Sequence, residues 1–442
     1  MKKNIVLLIL FIILFIVSTI IDSYSFSNGE NNSNTDKLGT IVEESIHNLE
    51  EDVKGVQVLN SSLPVLSIKL NDVDLETINN NSKDVKYVGN NLVIIDNGEE
   101  IVNEKITIKG RGNTTWKAPK KPYQIKFDKK MDLFNMGASK KWILLANFYD
   151  PSLLKTKLAH YIGDIVHAEY NYDGVFINLY VDNEYMGVYY LTHKVEIGES
   201  TLDLENDYGV LMELDNAHYL AEDDEDVFIS NNNHVHFIRK DVVNEANKTV
   251  AANKFMENYN ALEEALNSKN WNKVQSLFDI ESLASYYVVQ SFMINRDAYN
   301  TSFFFYMDGL DDKIHVGPLW DFDLSLSFDS RDINDKHNAG LGKRNPVNDN
   351  SPIYRRNIEY FVEPFFEYNK FNELVLKKRK ELLLNKQEII DAIDKDIELV
   401  KEDAFINTSL WEYNKSYDEL IEEFKHIVET QFIVLERQVN GN

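Results

Sequence analysis

Asn295-Arg296-Asp297-Ala298-Tyr299-Asn300 and Trp320-Asp321-Phe322-Asp323 are the two stretches around which this chain is organised. The first closes a long apolar helical pattern over residues 280–294. The second follows a predicted hairpin, residues 302–307 with 313–316 across an acidic turn. An Asp, an Asn one turn later and a second Asp beyond a hairpin supply oxygen atoms in the order that phosphoryl-transfer chemistry needs. One carboxylate orients an incoming hydroxyl, while an amide oxygen and the other carboxylate hold a divalent ion. For Asp297 and Asp321 taken singly, helix capping or a salt bridge is the competing reading. Asp323 shares a strand face with Asp321 and is a candidate second ligand. The two stand too close along the chain to flank a scissile bond as a hydrolase pair.

Upstream, Ile106-Thr107-Ile108-Lys109-Gly110-Arg111-Gly112-Asn113-Thr114-Thr115-Trp116 reads as a strand entering a Gly-x-Gly turn. Gly110, Arg111 and Gly112 would let backbone N–H groups approach phosphate oxygens, although an ordinary hairpin fits the same residues. Lys126 lies in the alternating strand 123–127, placed as a lysine that reaches nucleotide phosphates, with Lys120, Lys121, Lys129 and Lys130 as neighbours that compete for the role. Residues 142–147 form another apolar strand. Asp150-Pro151 predicts an N-cap and first helical residue, for a helix ending at Gly163. Residues 175–181 and 185–192 predict a hairpin, and 209–215 a further strand. Glu196 and Glu213 are the acids best able to pair a phosphate-binding lysine. His234 and His236 alternate along one predicted strand without a third metal ligand in register. Residues 361–385, 386–403 and 410–439 carry amphipathic helical patterns with no sustained heptad.

The chain has 442 residues, of which 43% are hydrophobic and 12% aromatic, enough for a large core. Its formal charge of −26 disfavours nucleic acid and anionic lipid surfaces, which recruit Lys and Arg. It has no cysteine, which excludes disulfides and thiolate chemistry. Lys2 and Lys3 before the apolar run 5–17, which continues weakly to 21, predict an export signal or anchor over residues 1–25. Contact with a membrane is expected only through this segment. Residues 26–60 predict a polar tether and 61–442 a folded domain.

Four of these motifs carry a resemblance: Arg-Gly-Asn-Thr-Thr-Trp, Lys-Lys-Pro-Tyr-Gln-Ile-Lys-Phe, Leu-Leu-Ala-Asn-Phe-Tyr-Asp-Pro-Ser and Pro-Leu-Trp-Asp-Phe-Asp. From about residue 63 to about 384 the chain resembles the CotH family, the spore-coat-protein-H type of atypical kinases. The resemblance implies an α+β, two-lobed, kinase-like fold, with a strand-rich N-lobe over about 61–220 and a helical C-lobe over about 221–442. It implies ATP-dependent transfer of phosphate to Ser or Thr hydroxyls of a protein substrate, with Mg²⁺ or Mn²⁺. By position, Asp297 matches the catalytic Asp, Asp321 the metal-binding Asp, Asn300 a second metal ligand and Lys126 the nucleotide-phosphate lysine. Asn295 departs from the ordinary kinase loop, which has His there. The export signal departs from a coat protein laid down from the cytoplasm, and it points to the cell envelope or secretion as well as the spore coat. A catalytically idle exported scaffold on the same fold is the other reading.

Overall fold

Alternation of apolar and polar residues curls the first part of the domain into a barrel. The computed structural model describes residues 61–215, 226–295, 297–299, 301–326 and 361–441. The expected export segment, the tether, residues 330–351, whose polar sequence predicts a loop, and Asn300 lie outside these. Seven strands, β1 (Val65–Lys69), β2 (Tyr87–Asp96), β3 (Glu99–Gly110), β4 (Tyr123–Asp132), β5 (Ala138–Leu145), β6 (Gly174–Val181) and β7 (Glu184–His193), close in the order β1-β2-β3-β4-β5-β7-β6. Neighbours are antiparallel except β1 and β6, whose parallel pairing of Val65 with Asn178 shuts the barrel. Inward residues such as Leu66, Ile68, Ile106, Ile125 and Trp142 fill it, so the barrel is a packed core and not a ligand cavity. A short helix, α1 (Leu75–Asn80), lies between β1 and β2, capped by Asp74 accepting from Thr77 N.

A second sheet runs β12 (His315–Val316), β11 (Phe303–Asp308), β8 (Gly209–Leu214), β10 (His236–Val242), β9 (Val227–Ile229). It draws strands from both sides of residue 220, where the lobe boundary was expected. His234 precedes β10 with a left-handed φ of 52°, so the two histidines do not share a strand face. The helices are α2 (Lys155–Ile165), α3 (Lys248–Asn267), α4 (Trp271–Leu277), α5 (Ile280–Met293), α6 (Asn369–Leu384), α7 (Lys386–Leu410) and α8 (Tyr417–Asn440). None of the described helices is long and apolar enough to cross a membrane.

Three expected boundaries moved for local reasons. Helix α2 begins at Lys155, because Leu153 takes a left-handed φ of 70°, and Asp150 caps from a distance by accepting from Lys155 N at 2.9 Å. Gly163 lies within α2, where a Cβ would come 2.7 Å from Leu319 Cδ1: it is a packing glycine, not a stop signal. Pro364 breaks the pattern expected from residue 361 into a 3₁₀ turn, Glu363–Glu367, and α6 starts afterwards.

Helix α5 is buried almost all round, which matches its uniformly apolar sequence. Asp279 caps its start, accepting from Ser282 N at 2.8 Å. At its end Ile294 turns the chain with a left-handed φ of 48°, three residues before Asp297, which lines the cleft described below. Nearby, β12 is clamped to the loop after α2: His315 Nδ1 is 3.1 Å from Glu169 Oε2, which also accepts from the Tyr306 hydroxyl. Burial alone would depress the His315 imidazolium, but hydrogen bonds to Asp312 and Glu169, and their charges, outweigh it and push its pKa up to about 10. A base raised in the folded state adds stability that is full below its unfolded pKa, near 6.5, and lost as pH rises through 10. His315→Gln is therefore expected to be about 1–2 kcal/mol less stable than the parent at pH 6. Denaturant melts should show the gap closing as pH approaches 10.

Candidate active site

The two acidic stretches meet across one cleft of about 540 Å³. Its walls come from the β3–β4 turn (Arg111 to Thr115), the end of β5, the first turns of α2, and the ends of β8 and β10. Asp297, Ser302, Asp321 and Asp323 line it together.

Asp321 sits at a left-handed φ of 68°, a conformation that costs a non-glycine residue of order 1 kcal/mol and clusters at functional sites. Its Oδ2 accepts from Ser302 Oγ at 3.1 Å, and its carboxyl shares a hydrogen bond with Asp323. Burial raises the Asp321 pKa, with Ser302 and Arg111 opposing the rise. Burial also holds Asp323 well above the carboxylate range, reinforced by the charge of Asp321 and then by Asp297 and Asp150, with Lys155 opposing. Asp215, at the cleft edge, accepts from Thr301 Oγ1 at 2.8 Å. The donor set is entirely oxygen and carries more negative charge than Arg111 and Lys155 offset. That is the chemistry that suits a hard divalent cation such as Mg²⁺ or Mn²⁺.

Opposite the acids, Arg111 stacks its guanidinium 4.8 Å from the Trp320 ring centre. Burial lowers its pKa to about 10 against the pull of Asp321 and Glu213. Its Nη1 is buried without a hydrogen-bond partner. A buried, unsatisfied donor of this kind costs about 1–3 kcal/mol, a cost that an anionic oxygen in the cleft would remove. Gly112 beside it has a φ of 79°, and a Cβ there would fall 1.9 Å from Thr115 Oγ1, so only glycine makes this turn. Gly110 does not line the cleft: a Cβ there would meet the Trp116 ring at 2.5 Å, so its role is to seat that ring.

A model of the family described as CotH kinase protein matches residues 108–434. The chain belongs to the CotH family. No curated protein matches it. The matched span holds both acidic stretches, the glycine turn and all the helices from α2 to within α8.

A second expected cleft residue of this CotH protein, besides Gly110, lies elsewhere. Lys126 is exposed on β4, opposite Thr107 and Lys141, and does not line the cleft. Its strand neighbours Ile125 and Phe127 point into the barrel, so the pleat turns Lys126 outward. The rival lysines do not line the cleft either. Lys120, only 1% exposed, donates to Val188 O and to Asn407 Oδ1 at 2.8 Å, tying the barrel to α7. Lys129 pairs with Glu104, and Lys130 with Glu199. Among the described residues, the cations facing the cleft are Arg111, Lys83 and Lys240, the last 2.6 Å from Glu213. Glu196 instead binds Lys141 and Lys194. Lys155, which sequence reading passed over, is buried behind the acids and donates to Asp323 O at 3.1 Å. Its signal was Asp150 five residues earlier, which holds the same buried turn.

Proposed function

We propose that this CotH protein is an ATP-dependent kinase that transfers phosphate to Ser or Thr hydroxyls of a protein substrate, with Mg²⁺ or Mn²⁺. The observation that carries the reading is the meeting of Asp297, Asp321 and Asp323 with the Arg111–Gly112 turn across one cleft. Asp297 orients the substrate hydroxyl and takes its proton. Asp321, with Asp323 and Asn300, holds the cation. When bound, such a cation would supply positive charge to offset the charge developing in phosphoryl transfer. Arg111 Nη1 and the backbone at Gly112 receive phosphate oxygens, and Lys83 and Lys240 add positive charge at the rim. Lys155 holds the Asp323 backbone in place. Export to the envelope, or a place in the spore coat, belongs to the same proposal.

The test is incubation of the full-length protein with labelled ATP and Mn²⁺, following incorporation into itself or an added protein, with calorimetry of ATP·Mn²⁺ binding beside it. Binding and incorporation support the kinase. Binding of neither leaves the exported scaffold as the better account. In this reading Arg111, which lines the cleft, takes the phosphate-facing role in place of Lys126. Arg111→Ala is expected to weaken ATP·Mn²⁺ binding by about 10- to 100-fold, as loss of a charge-assisted hydrogen bond does. Lys126→Ala should leave it unchanged. Equal weakening in both variants would return the role to Lys126.

A further inference from the structure

Asn295 stands where an ordinary kinase loop has histidine, and its side chain has a different task. It is 2% exposed. Its Nδ2 donates to the main-chain oxygen of Asp321 at 2.9 Å, and its Oδ1 accepts from the main-chain N of Asp297 at 3.2 Å. One amide therefore grips the backbones of both aspartates, which lie on different segments. A carboxamide suits this position because it offers a donor and an acceptor on one planar group. Histidine could offer both only across the width of a ring.

We infer that Asn295 is a positioning residue, which sets the spacing of Asp297 and Asp321 and holds Asp321 in its left-handed conformation so that its carboxyl faces the cation site. Two further observations fit. The stretch after Asp323 has its own anchor, Leu326 N to Met293 O at 2.8 Å, so the fold here does not depend on Asn295 alone. And Asn295 is itself fixed, its N–H bonded to Gln290 O at 3.2 Å at the end of α5. The amide is thus a rigid strut between a buried helix end and a strained aspartate. Residues that orient a metal ligand from behind typically change metal affinity about 10- to 100-fold when altered.

The inference rests on the kinase reading, and its test separates the two. Asn295→Leu keeps the branched shape, at a larger volume, and loses both hydrogen bonds. Asn295→Ser shortens the reach and serves if the Leu variant does not fold. Circular dichroism melts report the fold, and electron paramagnetic resonance of free Mn²⁺ reports binding with and without ATP. The expected result is a folded variant whose Mn²⁺ affinity falls at least tenfold and whose transfer rate rises with Mn²⁺ over a higher range than the parent's. A folded variant with the parent's Mn²⁺ affinity and metal dependence overturns the positioning role and leaves Asn295 a filler of space. If the parent itself binds no Mn²⁺ at the cleft, as judged by Asp321→Asn changing nothing, the kinase reading fails first.

Discussion

Asp297→Asn is expected to lose phosphate transfer by roughly 10²- to 10⁴-fold while still binding ATP and Mn²⁺, the size of effect a positioned general base has. The side chains are isosteric, and Asp297 N keeps its bond to Asn295, so the loop should keep its course. What goes is the carboxylate that would accept the hydroxyl proton. Asp321→Asn should differ in kind. There transfer falls because cation affinity falls, and Asn retains an oxygen to accept from Ser302. Single-turnover rates at saturating Mn²⁺, read beside Mn²⁺ titrations, separate the two. If Asp297→Asn loses Mn²⁺ affinity in step with rate, Asp297 is a ligand and not the base.

Asp323→Asn is expected to make the metal-free protein more stable while weakening its hold on the cation. Asp323 is surrounded by the charges of Asp321, Asp297 and Asp150, and Lys155 offsets them only in part. Removing one charge from a crowded buried set relieves repulsion and desolvation worth about 1–3 kcal/mol. The neutral amide keeps the volume, and the backbone oxygen still accepts from Lys155. Functional sites hold such unfavourable arrangements against stability. Denaturant melts without metal should place the variant above the parent. Mn²⁺ at about 100 times its dissociation constant should raise the parent by about 2.7 kcal/mol and the variant by much less. A variant less stable than the parent without metal would show that Lys155 and Arg111 already neutralise the cluster.

Much of this was legible in the chain, because it is written in local pattern. Period-two alternation placed β4, apolar runs placed the β6–β7 hairpin, and the apolar run over 280–294 placed α5. The helix end, the hairpin and Asp-Phe-Asp together pointed to the meeting of Asp297 and Asp321. What stayed hidden depends on contacts distant in sequence. The parallel pairing of β1 with β6 joins segments more than a hundred residues apart, and nothing local announces it. Lys126 was misplaced because adjacency to a glycine turn was weighed above the pleat, although Tyr123, Ile125 and Phe127 already fixed which way it points. Lys120 reads as a surface lysine until Asn407, on a helix near the other end of the chain, is seen against it. Asn295 was visible as a departure from an ordinary kinase loop, but its two-handed grip needs both backbones in place.

Asp297 as base and Asp321 as cation ligand, from separate segments, are expected to serve one phosphoryl transfer in the shared cleft. The most direct test is anomalous diffraction from crystals of the protein with Mn²⁺ and a non-hydrolysable ATP analogue. The account predicts a manganese peak in the cleft within about 2.0–2.3 Å of an Asp321 carboxylate oxygen, the range of hard-cation ligand bonds. It also predicts the analogue's phosphates against Arg111, and the Asp297 carboxylate facing the terminal phosphate. Manganese bound away from Asp321, or an analogue seated outside this cleft, would contradict it.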